Sequence, residues 1–212
     1  MIITLTKKNM LIGNAQIVTC PYCGEEKMLL SLMSGNTFGA TQWSDGKRIA
    51  PMLPEISQIQ KCPECGKYYF RTEENTRLSD DEYSHEHGTL TFDETLEAYH
   101  QFSTEGFGND NQEENCRFML HFAFNDYYHR TYEKERELTE EENNLYTANC
   151  LWLINHAITD DLMKAEYYRE IGMMNEAKEI ISKFNTSDNF HKNILKNISV
   201  RIEANDCSVF KL

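Results

Sequence analysis

The stretch KCPECGKYYF, Lys61 to Phe70, decides how the first third of this chain folds, because Cys62-Pro63-Glu64-Cys65-Gly66 repeats an earlier pattern. The first copy is Cys20-Pro21-Tyr22-Cys23-Gly24, at the start of TCPYCGEEKMLLSL, and 38 residues separate Cys23 from Cys62. One copy alone fits two chemistries, a dithiol that passes electrons or one side of a metal site. Two copies imply one shared task. A Cys-Pro-x-Cys-Gly turn aims backbone amides at the sulfurs, and the glycine permits the positive φ that wraps the loop around an ion. Two such turns supply four thiolates, enough for a tetrahedron with sulfur-to-metal distances of about 2.3 Å. We therefore expect Cys20, Cys23, Cys62 and Cys65 to bind one Zn2+ ion, with iron on the same four ligands as the alternative. Zinc held by four protein thiolates keeps no open position, so this ion is expected to fold the chain rather than to catalyse.

The paired motif resembles zinc-ribbon and rubredoxin-like domains over residues 17–72. Cys20-Pro21-Tyr22-Cys23, followed by a helix-capable segment, also resembles the active-site string of glutaredoxins, where the first thiol is a nucleophile at a helix N-terminus. That second resemblance covers some fifteen residues. Pro51 and Pro54 are candidates for its later cis-proline, but the Gly-Gly pair that follows in that family occurs nowhere here.

At 212 residues and 40% hydrophobic content the chain has room for one large domain or two small ones. Its net charge of −13 is unevenly placed: residues 1–71 carry +3, and residues 72–212 carry −16. The acidic part repels phosphate backbones and anionic lipid. No apolar run reaches the roughly 18 residues of a membrane span. Lys7 and Lys8 before NMLIGNAQIVTC loosely imitate a lipoprotein signal, but Asn9, Asn14, Gln16 and Thr19 spoil it. The expectation is a cytoplasmic chain whose seven cysteines are not a disulfide framework.

Between the cysteine pairs, Lys27 to Met33 and Thr37 to Trp43 read as strands, the second closed by the Ser44-Asp45-Gly46 turn. Lys67 to Arg71 reads as a last strand, with Tyr68 and Phe70 on one face and Tyr69 on the other. Trp43 and Phe38 are expected to pack a small core, with Lys47 and Arg48 solvated. The rival reading makes these four residues an aromatic and basic patch for single-stranded nucleic acid.

Residues 73–92 are polar and acidic and read as a linker. His85 and His87 within it are expected to be exposed. From Asp93 the period becomes helical: 93–102, then 111 to about 134, then a helix opened by a Thr139/Glu142 capping box, with Asp160 capping the next. The segment KAEYYREIGMMNEAKEII, Lys164 to Ile181, resembles a tetratricopeptide-repeat (TPR) helical hairpin at Ala165, Tyr168, Gly172, Ala177 and Ile181. A last helix is expected over about 188–205.

Glu97 with His100, and Asp126 with His129, pair a carboxylate and an imidazole as di-iron bundles do, but the further glutamates such sites need are missing. His121, His156, Cys116, Cys150 and Cys207 read as core, boundary or incidental residues. No P-loop, GxGxxG, GxSxG or HExxH nominates a reaction. The fold expected is α+β: a zinc-ribbon β domain (1–72), a linker (73–92) and an all-α antiparallel domain with one TPR-like hairpin (93–212). The chain resembles zinc-ribbon proteins that join duplicated Cys-Pro-x-Cys-Gly motifs to helices. The function expected is a non-catalytic adaptor that binds another protein, with no membrane partner. A nucleic-acid-binding ribbon and a thiol-disulfide oxidoreductase are the alternatives.

Overall fold

Among the described residues, short antiparallel strands come first and six α-helices follow, an α+β architecture. The computed structural model describes residues 10–80, 82–130 and 136–212. Lys7, Lys8 and the end of the helix expected to reach residue 134 lie outside them. The chain divides into two compact units, one of residues 1–40 and 49–90, the other of 41–48 and 91–212.

In the first unit, β1 (Leu11–Ile12) pairs with β4 (Leu32–Ser34), and β2 (Gln16–Thr19) is the middle strand between β3 (Glu26–Leu29) and β9 (Thr76–Leu78). The expected single strand over 27–33 is therefore two, broken at Leu30 and Ser31. β7 (Ile59–Lys61) and β8 (Tyr68–Phe70) form a hairpin around the second cysteine turn. Val18, Leu29, Cys20, Cys62 and Tyr69 pack together as this unit's core, so the thiols themselves supply part of its apolar interior.

Residues 73–92 are not a linker. Asn75 closes a turn by accepting from the Thr72 amide at 2.8 Å and donating to the Phe70 carbonyl at 2.8 Å, which returns the chain along β2 as β9. Backbone bonds from Ser79 to Ala15, Ala15 to Glu82 and Leu30 to Glu86, at 2.7–2.9 Å, hold the segment that follows. Main-chain pairing needs no apolar side chains, so an acidic composition concealed an edge strand. His85 is exposed and His87 half-buried.

A second departure concerns residues 41–48. The hairpin of β5 (Thr41–Gln42) and β6 (Arg48–Ile49) turns at Ser44 to Gly46, as expected, but residues 41–48 belong to the helical unit. Trp43 bridges to Lys211, and Ser44 exchanges backbone and hydroxyl bonds with Phe210 at 2.8 and 3.0 Å. Phe38 remains in the β unit, exposed rather than packed, so the four residues weighed as one patch are divided between the units.

The helices are α1 (Phe92–Glu105), α2 (Asp110–Asn125), α3 (Glu140–His156), α4 (Asp161–Glu170), α5 (Met174–Lys183) and α6 (Asn189–Glu203). Caps explain most starts. Thr91 and Thr139 each make a full capping box, with Glu94 and Glu142, while Asn109, Asp160 and Asp188 each accept from an amide of the first turn. α2 runs on into a single π-helical turn, Asp126–Arg130. Gly172, at φ +77°, ends α4 in the left-handed conformation that glycine tolerates best. Ala165 and Ala177 are fully buried, which lets α4 and α5 approach closely.

Candidate metal centre

The two cysteine turns have the same wiring. The Cys20 amide donates to the Glu25 carbonyl at 2.8 Å and the Gly24 amide to the Cys20 carbonyl at 2.9 Å; Cys62, Lys67 and Gly66 repeat this at 2.9 and 3.1 Å. Gly24 and Gly66 sit at φ +81° and +71°, and a Cβ on either would meet nothing within 4 Å. Backbone conformation alone therefore selects glycine at both positions. β2 and β3 hold the first turn, β7 and β8 the second.

These hairpins bring the four sulfurs within 4.8 Å of one another, a group that could hold a metal ion. Cys20 Sγ lies 3.8 Å from Cys65 Sγ, and Cys23 Sγ lies 3.5 Å from Cys62 Sγ. A disulfide would need about 2.05 Å. Four sulfurs at about 2.3 Å from a central ion would instead stand about 3.8 Å apart along the edges of the tetrahedron. The spacing and the all-thiol donor set thus fit one ion. Cys20 and Cys62 face the core and Cys23 and Cys65 face solvent, so each turn offers one inner and one outer ligand.

The electrostatics bear this out as one cluster. Burial raises the Cys62 thiol, but the amides of Cys65 and Glu64 and the thiols of Cys23 and Cys65 outweigh it and bring Cys62 down to about 7. For Cys23 the Glu25 amide pulls downward, yet desolvation and the neighbouring thiols push it up to about 12. Burial is the largest influence on Cys20, whose thiol is raised. The Tyr69 phenol, raised to about 12 by burial and by these cysteines, has a buried hydroxyl without a hydrogen-bond partner. Strand alternation sets Tyr69 on the opposite face from Tyr68 and Phe70, but nothing in the sequence says that its face is the one that meets the cysteines.

The remaining histidine and carboxylate pairs do not assemble with this group. Asp126 is engaged by Lys47 and Arg130, and neither Glu97 with His100 nor Asp126 with His129 belongs to a metal-ligating group among the described residues.

A second polar cluster lies inside the helical unit and went unread in the sequence. His121 Nδ1 is 3.4 Å from Cys150 Sγ, and its Nε2 is 3.3 Å from Glu170 Oε2. Asn125 and Tyr146 donate to the same Glu170 oxygen, each at 2.9 Å. Asp45, carried on the 41–48 hairpin, accepts from Asn125 at 3.1 Å and from Arg130 at 2.8 Å. Burial holds the His121 imidazole down to about 3, and burial followed by Glu166 and Asp45 pushes the Glu170 carboxyl well above its usual range. Thiol, imidazole and carboxyl side chains are all fully buried, so the cluster is closed to substrate. Asp45 reads as an ordinary turn residue, and no local pattern announces a buried carboxylate.

Among the described residues, no helix is long and apolar enough to cross a membrane. No protein-family profile, curated protein or solved structure matches this chain.

Proposed function

We propose that the chain is a non-catalytic protein-interaction adaptor whose β unit is clamped by one structural Zn2+ ion on Cys20, Cys23, Cys62 and Cys65. The observation that carries this reading is the tetrahedron-sized spacing of four thiols that come from two identically wired turns. Four protein ligands leave no position for a substrate, and zinc is preferred to iron because it fills such structural sites far more commonly.

Support for a protein partner comes from exposed apolar side chains on the β unit, among them Leu11, Met33, Phe38, Leu78 and Tyr83. The α4–α5 hairpin supports the TPR-like comparison: Ala165 and Ala177 are buried, Tyr168 packs against two apolar clusters, one around Leu153 and Tyr167 and one around Ala177 and Ile198, and Gly172 makes the turn. Nucleic acid is a weaker partner. With residues 73–90 included, the β unit has seven basic and ten acidic residues, and four zinc-bound thiolates add further negative charge. The cytoplasm is the compartment we assign, since thiolate ligands need reducing surroundings.

Metal content of protein purified without added metal, combined with native thiol titration, tests the reading. One equivalent of zinc with the four cysteines protected is the result expected. Metal-free protein with a fast-reacting Cys20 would return the glutaredoxin-like dithiol to first place. Chemical crosslinking in cells tests the adaptor role: a protein partner is expected, and nucleic acid in its place would refute it.

A further inference from the structure

A cleft of about 430 Å³ in the β unit is lined by Gln16, Gln58, Arg71, Thr72, Glu73 and Thr76. Arg71 leaves the end of β8 with its amide bonded to the Gln58 carbonyl at 2.8 Å, which fixes where its side chain begins. Its Nη1 donates to Gln16 Oε1, while its Nε is buried without a partner. The other inward-facing arginines have carboxylates: Arg130 holds Asp45 and Asp126, and Arg169 holds Glu166. Arg71 has none among the described residues, although Glu73 lines the same cleft. Burial pulls its guanidinium pKa down with no neighbouring charge to oppose it. A partly desolvated cation without a counter-ion is costly, and the cost is removed by an anion that brings charge-assisted hydrogen bonds.

The donors are arranged for such a ligand. Gln16 uses its carbonyl oxygen on Arg71, leaving its amide N–H groups to donate, and Gln58 also lines the cleft. We infer that this cleft binds a small oxyanion-bearing molecule, a carboxylate or a phosphate, with Arg71 as the primary contact. The volume lies in the range of roughly 300–1,000 Å³ usual for small-ligand sites. Glu73 at the cleft disfavours a second negative charge, so a monoanion is the preferred form. The cleft needs a folded β unit, and so shares its dependence on the metal, but it does not rest on the adaptor reading, which can fail without it.

The test is a titration of the full-length, 15N-labelled chain at constant ionic strength, following the Arg71 side-chain Nε–H resonance. Sodium acetate and inorganic phosphate are added in separate arms, with sodium chloride as the reference. A saturable shift with one of them, absent with chloride, is expected, and the arm that saturates at lower concentration identifies the group recognised. Arg71→Gln should weaken binding roughly ten- to a hundredfold, as loss of a charge-assisted contact does. Glu73→Gln should tighten it, an effect in the opposite direction that misfolding cannot imitate. Shifts that stay linear and match chloride, or equal affinity in wild type and Arg71→Gln, would overturn the proposal. If Arg71→Gln does not fold, Glu73→Gln decides: tighter binding supports the site and unchanged affinity refutes it.

Discussion

Replacing Glu170 by glutamine should reverse how the stability of the helical unit responds to pH. Glu170 and His121 meet at 3.3 Å with both side chains fully buried. Burial holds His121 down to about 3 from 6.5 and pushes Glu170 well above 4.5. Folded, the pair therefore keeps one proton from about pH 3 to the raised Glu170 value. Unfolded, it holds two protons below pH 4.5, one between 4.5 and 6.5, and none above. Between 4.5 and 6.5 the proton counts match, and the pair gives stability no slope. Above 6.5 the folded pair holds the extra proton until Glu170 itself ionises, so over that window stability falls as pH rises, by about 1.4 kcal/mol per unit. In Glu170→Gln only His121 remains: the alkaline loss disappears, and stability instead falls as pH drops below 6.5, again by about 1.4 kcal/mol per unit. Urea unfolding followed by tryptophan fluorescence reads this unit alone, because Trp43 and Trp152 both belong to it. Keeping below about pH 7.5 leaves the unfolded-state cysteines almost wholly protonated. Wild type without an alkaline slope, or a variant that keeps one, would show that the folded pair does not retain a proton.

Three further outcomes follow from contacts described above. Asp45→Ala should cost about 2 to 3 kcal/mol, since it removes the buried carboxylate that Asn125 and Arg130 hydrogen-bond and leaves Arg130 only the more exposed Asp126; the same urea titration measures it. Chelation at neutral pH should unfold the β unit and leave the helical circular dichroism largely intact, and retention of strand signals in chelator would refute a metal-dependent fold. Thr139→Ala should remove about 1 kcal/mol through loss of the α3 capping box, read as a lower urea midpoint at unchanged slope.

Short-range chemistry was the legible part of this molecule. The Thr139/Glu142 box, the Asp160 cap, Gly172 and the two Cys-Pro-x-Cys-Gly turns each depend on residues within five positions, and each is where its local pattern puts it. What was illegible depends on distant partners. β9 exists because Asn75 turns the chain back and β2 offers an open edge, neither of which shows in an acidic string. Asp45 is a good turn residue whether exposed or buried, and only Asn125 and Arg130, 80 and 85 positions away, make it a buried one. Tyr69 likewise lies on the strand face opposite Tyr68 and Phe70, and only the fold makes that the face that meets the cysteines.

The hairpin at 41–48 also sets a schedule for synthesis. Asp45 leaves the ribosome 85 residues ahead of Arg130, an interval of roughly 4 to 17 s at ordinary elongation rates. Trp43 waits longer still, for a bridge to Lys211, 168 positions later in the chain. A unit whose first and last pieces enclose the others cannot be completed as it emerges. The strand pair must wait through that interval for the helices that bury it, with the Asp45 carboxylate lacking Asn125 and Arg130, a period in which a holding chaperone would find it.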